Sequence, residues 1–434
     1  GALHPAIFEQ PSGRKCMMDM DKKPVILGYD FVSPLGTEQE EQWRRAAAGE
    51  SGIGVLTRFP LRDRFPVRIA GQVPEIDAAP YPFLRPREMA HWTSPVFRHA
   101  LLVVMRALAG AGIAITPELA PRTAVTFSSA IGGLDALIDA DRALTAAGKL
   151  PPPFMNPNSC INMVGGKVAI VTGATGPISS IVTACATGSS SLILGAMFIA
   201  QGMADLAICG AVDFPLVEPI VAGFATMNGA YRPKEGEEPA PPQDASCPFS
   251  LFRRGFVVSE GAGCILLGSR AFAAAHGLAY GIELAGWGMT ADAHHVVAPN
   301  PGTVRRCVEE TIRHAGIGPA DIDAVNAHAA STKIGDRVES DVLREVFPSG
   351  VPPVSACKSQ IGHAMGASSA IESILAMEGM RRGILLPTIH HRPDPEIPLD
   401  CVAEGARSLD QEFVLKNAFG FGGCNACLVF RRVN

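Results

Sequence analysis

Two distant segments of this chain share one plan, and that repetition constrains its architecture more than any other feature. Val182-Thr183-Ala184-Cys185 reads as the end of a strand, with small residues behind it opening a helix over residues 190–201. Val354-Ser355-Ala356-Cys357 reads as the end of another, and Gly366-Ala367-Ser368-Ser369 opens a similar helix over residues 370–381. Each helix leads to an apolar strand, over 206–210 in the first case and 427–430, after a longer insertion, in the second. The separation is far too long for a solenoid repeat. The pattern therefore predicts two related halves that meet at one central cleft, where sites tend to form. Residues 1–23 read as an extension or a remnant ahead of the fold, residues 24–275 as the first half and 276–434 as the second.

Elsewhere apolar, β-rich runs alternate with Ala/Leu-rich helical runs, the signature of a layered α/β protein. Strands are predicted at 24–28, 123–127, 178–184, 263–267, 322–326 and 351–355, helices at 40–48, 95–111 and 304–315, and a surface loop at 232–249. With 37 basic and 42 acidic side chains the net charge is −5, and no Lys/Arg block is present. Nucleic-acid binding is not expected, because it draws on a basic surface that displaces counterions. Only 18% of the 434 residues are charged while 47% are hydrophobic, which excludes wholesale disorder. The most apolar stretch, 191–214, is interrupted by Gln201, Asp205 and Asp213, and 100–116 is short and carries Arg106. Neither offers the roughly 20 uninterrupted apolar residues of a membrane span. No basic-then-apolar leader opens the chain, so the expectation is a soluble, cytoplasmic protein. The eleven cysteines are scattered and read as reduced thiols. Cys424-Asn425-Ala426-Cys427 lacks a second ligand pair and runs into an apolar strand, so no metal site is expected.

Three residues carry chemical promise. Cys185 lies where a strand gives way to a helix, and the free N–H groups and positive dipole end there favour a thiolate. His328, in Asn326-Ala327-His328, follows the strand at 322–326. His363, in Lys358-Ser359-Gln360-Ile361-Gly362-His363, follows the strand ending near Ser355. Ligands in open α/β sheets gather beyond the carboxyl ends of strands. Any one of these residues is commonly structural, but three such positions drawn from both halves favour a site.

These residues belong to an ordered series of motifs. The series runs through Ser129-Ala130-Ile131-Gly132-Gly133, Thr183-Ala184-Cys185, Pro248-Phe249 with Arg253, Gly255-Phe256 and Glu260-Gly261-Ala262-Gly263. It continues with the His328 segment backed by Asp336 and Glu339, Lys358-Ser359 with Gly362-His363, and Asn417-Ala418-Phe419-Gly420-Phe421-Gly422-Gly423. From Pro24 to Val433 the chain resembles the β-ketoacyl-acyl carrier protein synthases of the two-histidine class. The resemblance implies a duplicated, thiolase-like αβαβα fold with two pseudo-symmetric halves.

It also implies an acyltransferase that performs a decarboxylative Claisen condensation in fatty-acid or polyketide-type biosynthesis. Cys185 would hold the acyl chain as a thioester, with an oxyanion hole from the N–H groups of Cys185 and of the Gly420-Phe421-Gly422 loop. His328 and His363 would stabilise the enolate of a decarboxylated malonyl thioester as neutral donors. Lys358 would orient the site with Glu372 as its charge partner, and Asp336 and Glu339 would support the His328 segment. Phe421 resembles a gating residue, Ile131 a residue lining the acyl pocket, and Thr332 the remnant of a threonine pair that binds phosphopantetheine. No cofactor is implied, because the phosphopantetheine belongs to the acyl carrier protein. That acidic partner calls for a local basic patch, with Arg62, Arg64, Arg85 and Arg87 as candidates. A homodimer is implied, and a heterodimer with a ketosynthase-like partner that sets chain length stays open. The chain departs from the family pattern at Ala329, Ala330, Lys333, Cys424 and Ser250, which points toward a specialised pathway or partner. A thiolase-like condensation, a Cys-dependent acyl hydrolase and a silent subunit are the competing readings; the Cys-His-His-Lys set opposes each.

Overall fold

In the computed structural model, residues 19–233 and 241–433 are described. The expectation for residues 1–23 therefore falls largely outside the described residues, as does the middle of the loop at 232–249. Nine strands form one mixed sheet: β1 (Pro24–Val32), β2 (Thr123–Val125), β3 (Leu206–Asp213), β4 (Gly261–Ser269), β5 (Ile282–Ala291), β6 (Ala324–Asn326), β7 (Val354–Ser355), β8 (Phe413–Gly420) and β9 (Cys424–Arg432). Their spatial order is β2-β3-β4-β1-β5-β9-β8-β6-β7.

The pairing shows the duplication directly. In the first half β2 and β3 are parallel, β3 and β4 antiparallel, and β4 and β1 antiparallel. In the second half β6 and β8 are parallel, β8 and β9 antiparallel, and β9 and β5 antiparallel. The two half-sheets meet through a single residue pair, Val25 opposite Glu283. Helices complete the layers. α1 (Pro95–Gly110) covers the outer face of the first half-sheet, and α3 (Pro301–His314) covers that of the second together with α4 (Lys333–Val346). Between the half-sheets lie the two helices of the repeated segments, α2 (Thr187–Ala200) and α6 (Met365–Arg382), each touching strands of both halves. The result is the five-layer αβαβα arrangement. The strands are buried on both faces, which is why they read as continuous apolar runs.

The central layer is tight where its helices begin. A Cβ on Gly188 would stand 2.5 Å from the backbone nitrogen of Ala370, so only glycine lets α2 and α6 approach this closely. Ser189 N–H donates to Ser369 Oγ at 3.0 Å across the same crossing.

One expected strand is corrected. Residues 178–184 form no strand: Ile178 makes an isolated parallel bridge to Val125, and the chain then leaves the sheet to turn into α2. This segment lies beside β2, the outermost strand of its half, where β7 lies beside β6 in the other. Its ladder to β2 ends where Ser179 N–H donates to Val125 O at 3.0 Å, and Ile178 and Val182 are exposed. The CxxC pair lies in β9. Residues three apart on a strand point to opposite faces, so Cys424 and Cys427 do not converge. Among the described residues, no helix is long and apolar enough to cross a membrane.

Candidate active site

The nucleophile candidate stands at the start of the central layer. Ala184 adopts φ 48°, which few non-glycine residues do, and this kink throws Cys185 into a short 3-10 turn that runs on into α2. Thr187 Oγ1 donates to Ala184 O at 2.7 Å and accepts Thr183 N–H at 3.0 Å, bracing the kink. Gly420 closes over it from β8. A Cβ there would meet Thr183 O at 2.3 Å and Cys185 N at 3.2 Å. The close approach brings the next residue into play, so that the backbone N–H groups of Phe421 and of Cys185 itself both favour the Cys185 thiolate.

Burial nevertheless wins. The Cys185 thiol is pushed up to about 11 by loss of solvent, against the opposing pull of the Lys358 charge and the Phe421 N–H. This corrects the expectation drawn from a helix start alone, because dipole and N–H groups are outweighed once the thiol leaves water.

The histidines reach the same place from the second half. His328 follows β6, and its backbone N–H donates to Glu339 Oε1 at 2.9 Å, with Ala329 N–H on Oε2 at 2.7 Å. Glu339 projects from α4, so this carboxylate fixes the loop that carries the ring. His363 follows the short helix α5 (Lys358–Ile361) and lies between Val257 O, at 2.7 Å from its N–H, and Ser259 N–H, at 3.0 Å from its carbonyl. Its Nδ1 is 2.9 Å from Ser368 Oγ, which also accepts Ala364 N–H at 2.8 Å. The two imidazoles meet edge to face with centroids 5.7 Å apart, flanked by Phe419 and Phe256. Burial, joined by the Lys358 charge, holds both rings well below the usual histidine range, so both are neutral.

Behind them runs a buried ionic network. Lys358 Nζ donates to His328 O at 2.6 Å and lies 2.5 Å from Glu372 Oε1. Lys416, from β8, lies 2.7 Å from Glu372 Oε2 and 2.5 Å from Asn417 O, and Asn417 Nδ2 donates to Glu339 Oε1 at 3.0 Å. Asp336 accepts Phe249 N–H and Thr332 N–H, and its carboxyl is pushed up to about 6 by burial. Thr332, the residue placed on the pantetheine side, thus begins α4 with its N–H already taken. Ile131 and Phe421 are half-buried in one apolar cluster with Phe224, Phe256, Ala330 and Met365, beside the nucleophile. Gly422 is exposed at the loop tip. Arg62, Arg64, Arg85 and Arg87 are all exposed, and Arg62 is engaged with Glu218 at 2.7 Å.

Sequence reasoning missed Asp213, Ser368 and Lys416. Asp213 ends β3 fully buried and accepts Ser129 Oγ at 2.6 Å, Ile131 N–H at 3.0 Å and Gly366 N–H at 2.7 Å, joining the Ile131 turn to the start of α6. A charged residue closing an apolar run, as in Cys209-Gly210-Ala211-Val212-Asp213 or Val414-Leu415-Lys416, is the signal that marks such positions.

The architecture agrees with known proteins. Residues 22–273 match the family model for the beta-ketoacyl synthase N-terminal domain, and 282–392 match that for its C-terminal domain. The chain belongs to the β-ketoacyl synthase family. It is 34% identical over 421 residues to the 3-oxoacyl-[acyl-carrier-protein] synthase 2 of Coxiella burnetii, covering 95% of this chain and 100% of the relative. Against the enzyme of the same name from Rhizobium meliloti it is 34% identical over 423 residues, covering 95% and 99%. Among solved structures, a beta-ketoacyl synthase from Burkholderia phymatum superposes with a TM-score of 0.87 at 29% identity, covering 95% and 100%. The ishigamide ketosynthase/chain length factor gives 0.86 at 29%, covering 95% and 99%. This synthase is therefore an acyltransferase-type enzyme of fatty-acid or polyketide synthesis.

Proposed function

We propose that this synthase elongates an acyl chain through a thioester on Cys185, using a malonyl thioester carried by an acyl carrier protein. The observation that carries the reading is the convergence of Cys185, the Phe421 N–H and two neutral histidines drawn from both halves.

In the first step the Cys185 thiolate attacks the acyl thioester carbonyl, and the oxygen that gains charge is met by the N–H groups of Cys185 and Phe421. The tetrahedral adduct collapses, the carrier C–S bond breaks, the carrier sulfur takes up the proton that Cys185 gave up, and the acyl group remains on the Cys185 sulfur. In the second step the malonyl carboxylate leaves as carbon dioxide, and the electron pair of the broken C–C bond moves into an enolate. Ring N–H groups of His328 and His363 bond the enolate oxygen. A neutral ring suits this task, because an imidazolium would hold the malonyl carboxylate as an ion pair and offer a proton to quench the carbanion. The carbanion then attacks the acyl-Cys185 carbonyl, the C–S bond breaks, and a β-ketoacyl thioester two carbons longer departs. No step calls on a cofactor or metal held by the chain.

Ala329 and Ala330 offer no hydroxyl to the phosphopantetheine arm, and a missing neutral hydrogen bond costs about 0.5–1.5 kcal/mol. That supports weaker carrier binding and a specialised partner. The exposed Ile178 and Val182 beside β2 are suited to pairing with a second copy across a two-fold axis. In a pairing with a chain-length subunit, the intact Cys185, His328 and His363 assign this chain the catalytic side. We place it in the cytoplasm with its carrier.

Intact mass after incubation with a panel of acyl-carrier-protein thioesters tests the reading, beside Cys185→Ala. An acyl adduct on the wild type alone is expected. No adduct with any acyl group overturns it in favour of a silent subunit.

A further inference from the structure

The family resemblance implies an orienting role for Lys358 with Glu372 but none for Lys416, although Lys416 is buried completely. A lysine placed there is costly unless it is paired, so its presence calls for an account. Glu372 carries one ammonium group on each oxygen, Lys358 at 2.5 Å and Lys416 at 2.7 Å. Lys358 in turn donates to the carbonyl of His328. A second route leaves Lys416 through the carbonyl of Asn417, whose side chain bonds the same Glu339 that fixes the His328 N–H. Lys416 thus touches neither ring, yet it is one link from each group that holds the His328 segment.

Resting on the condensation reading above, we propose that Lys416 is a positioning residue for the histidine pair: by occupying the far oxygen of Glu372 it leaves the charge of Lys358 turned toward His328 and His363 and keeps both rings neutral donors. Without Lys416, both carboxylate oxygens of Glu372 would face a single ammonium group. The field of Lys358 at the imidazoles would then be cancelled more fully.

The charged groups that act on the pair are Lys358 of α5 and Lys416 of β8, with Glu372 of α6 between them and Glu339 of α4 on the His328 N–H. Both lysine charges oppose protonation of either ring, with Lys358 the stronger of the two.

The test is the pH profile of malonyl-coenzyme A decarboxylation for the wild type, Lys416→Met and Lys416→Gln, alongside acylation of Cys185 by acyl-coenzyme A. Glutamine keeps a donor for Glu372 and removes only the charge. We expect the acid limb of both variants to move up by about one unit. At the pH where the wild type keeps half its maximal rate, they would keep about a tenth of theirs. Acylation at pH 8 should stay within about twofold of the wild type. A uniform fall at every pH, an unmoved acid limb, or a Gln variant that behaves as wild type overturns the role given to the charge. Should the variants not fold, ring-15N histidine spectra of the wild type, assigned through His328→Ala and His363→Ala, test the neutral rings that the proposal requires. Either ring titrating above pH 6.5 overturns the proposal. A wild type that neither acylates nor decarboxylates overturns the condensation reading itself, and this inference with it.

Discussion

Glu372→Gln strands two buried ammonium groups at once, and its cost can be worked from the geometry. Lys358, Lys416 and Glu372 are each no more than 2% exposed, so water cannot take over the role of the lost carboxylate. Removing one partner of a buried ion pair costs about 3–5 kcal/mol, because the remaining charge is left desolvated. An unfolding entropy of about 2.1 cal/mol/K per residue gives about 0.9 kcal/mol/K for 434 residues. The variant should therefore melt about 3–5 °C below the wild type in scanning calorimetry. The companion Glu372→Gln/Lys416→Met removes one of the two stranded charges and should recover about half of that loss. A single variant within about 1 kcal/mol of the wild type would refute the reasoning, and so would a double variant less stable than the single one.

Three further outcomes follow from the site. Because the Cys185 thiol is pushed up to about 11, its alkylation by iodoacetamide should rise about tenfold per pH unit between pH 7 and 9; a rate that levels off near pH 8 contradicts the burial argument. Ser368→Ala leaves the buried Ala364 N–H and His363 Nδ1 without their shared oxygen, a loss of about 1–3 kcal/mol. Malonyl decarboxylation should fall by about 5–150-fold while acylation of Cys185 is unchanged, which single-turnover mass measurements separate. Gly188→Ala drives a methyl group into the backbone of α6 and should cost about 1–3 kcal/mol in urea unfolding; a neutral result would mean that α2 and α6 can shift apart.

The candidate site residues that the structure brings together were legible because they are distinctive residues in distinctive company. Cys185 sits among small residues, His328 follows an apolar strand, and His363 follows the short helix α5 beyond another. The duplicated fold was legible from the repeated segments, although the strand that answers β3 in the second half is β8 (Phe413–Gly420), not the expected 427–430, which lie in β9 and answer β4. Three features were not. Residues 178–184 have the composition of a strand, yet the chain bonds β2 only as far as Ser179 before it turns toward Ala184, and only tertiary placement shows where it leaves the sheet. The thiol's resistance to ionisation depends on how completely water is excluded, a property of packing from four different elements. Lys416 and Asp213 each look like an interruption in an apolar strand, and nothing local says that Glu372 or the Gly366 N–H waits opposite. Long-range partners of this kind are set by the topology, not by the segment in which they lie.

The single residue pair between β1 and β5 has a mechanical consequence. So little ladder joins the two half-sheets that their union rests on the helices between them, and α2 and α6 each lean on both. Neither half owns a finished interior. Severed in the connection between β4 and β5, the two pieces would each expose a helix face that only the other can cover, and would regain shape chiefly as a pair. The doubled chain is thus one cooperative body, and its candidate catalytic groups are assembled only once both pieces are home.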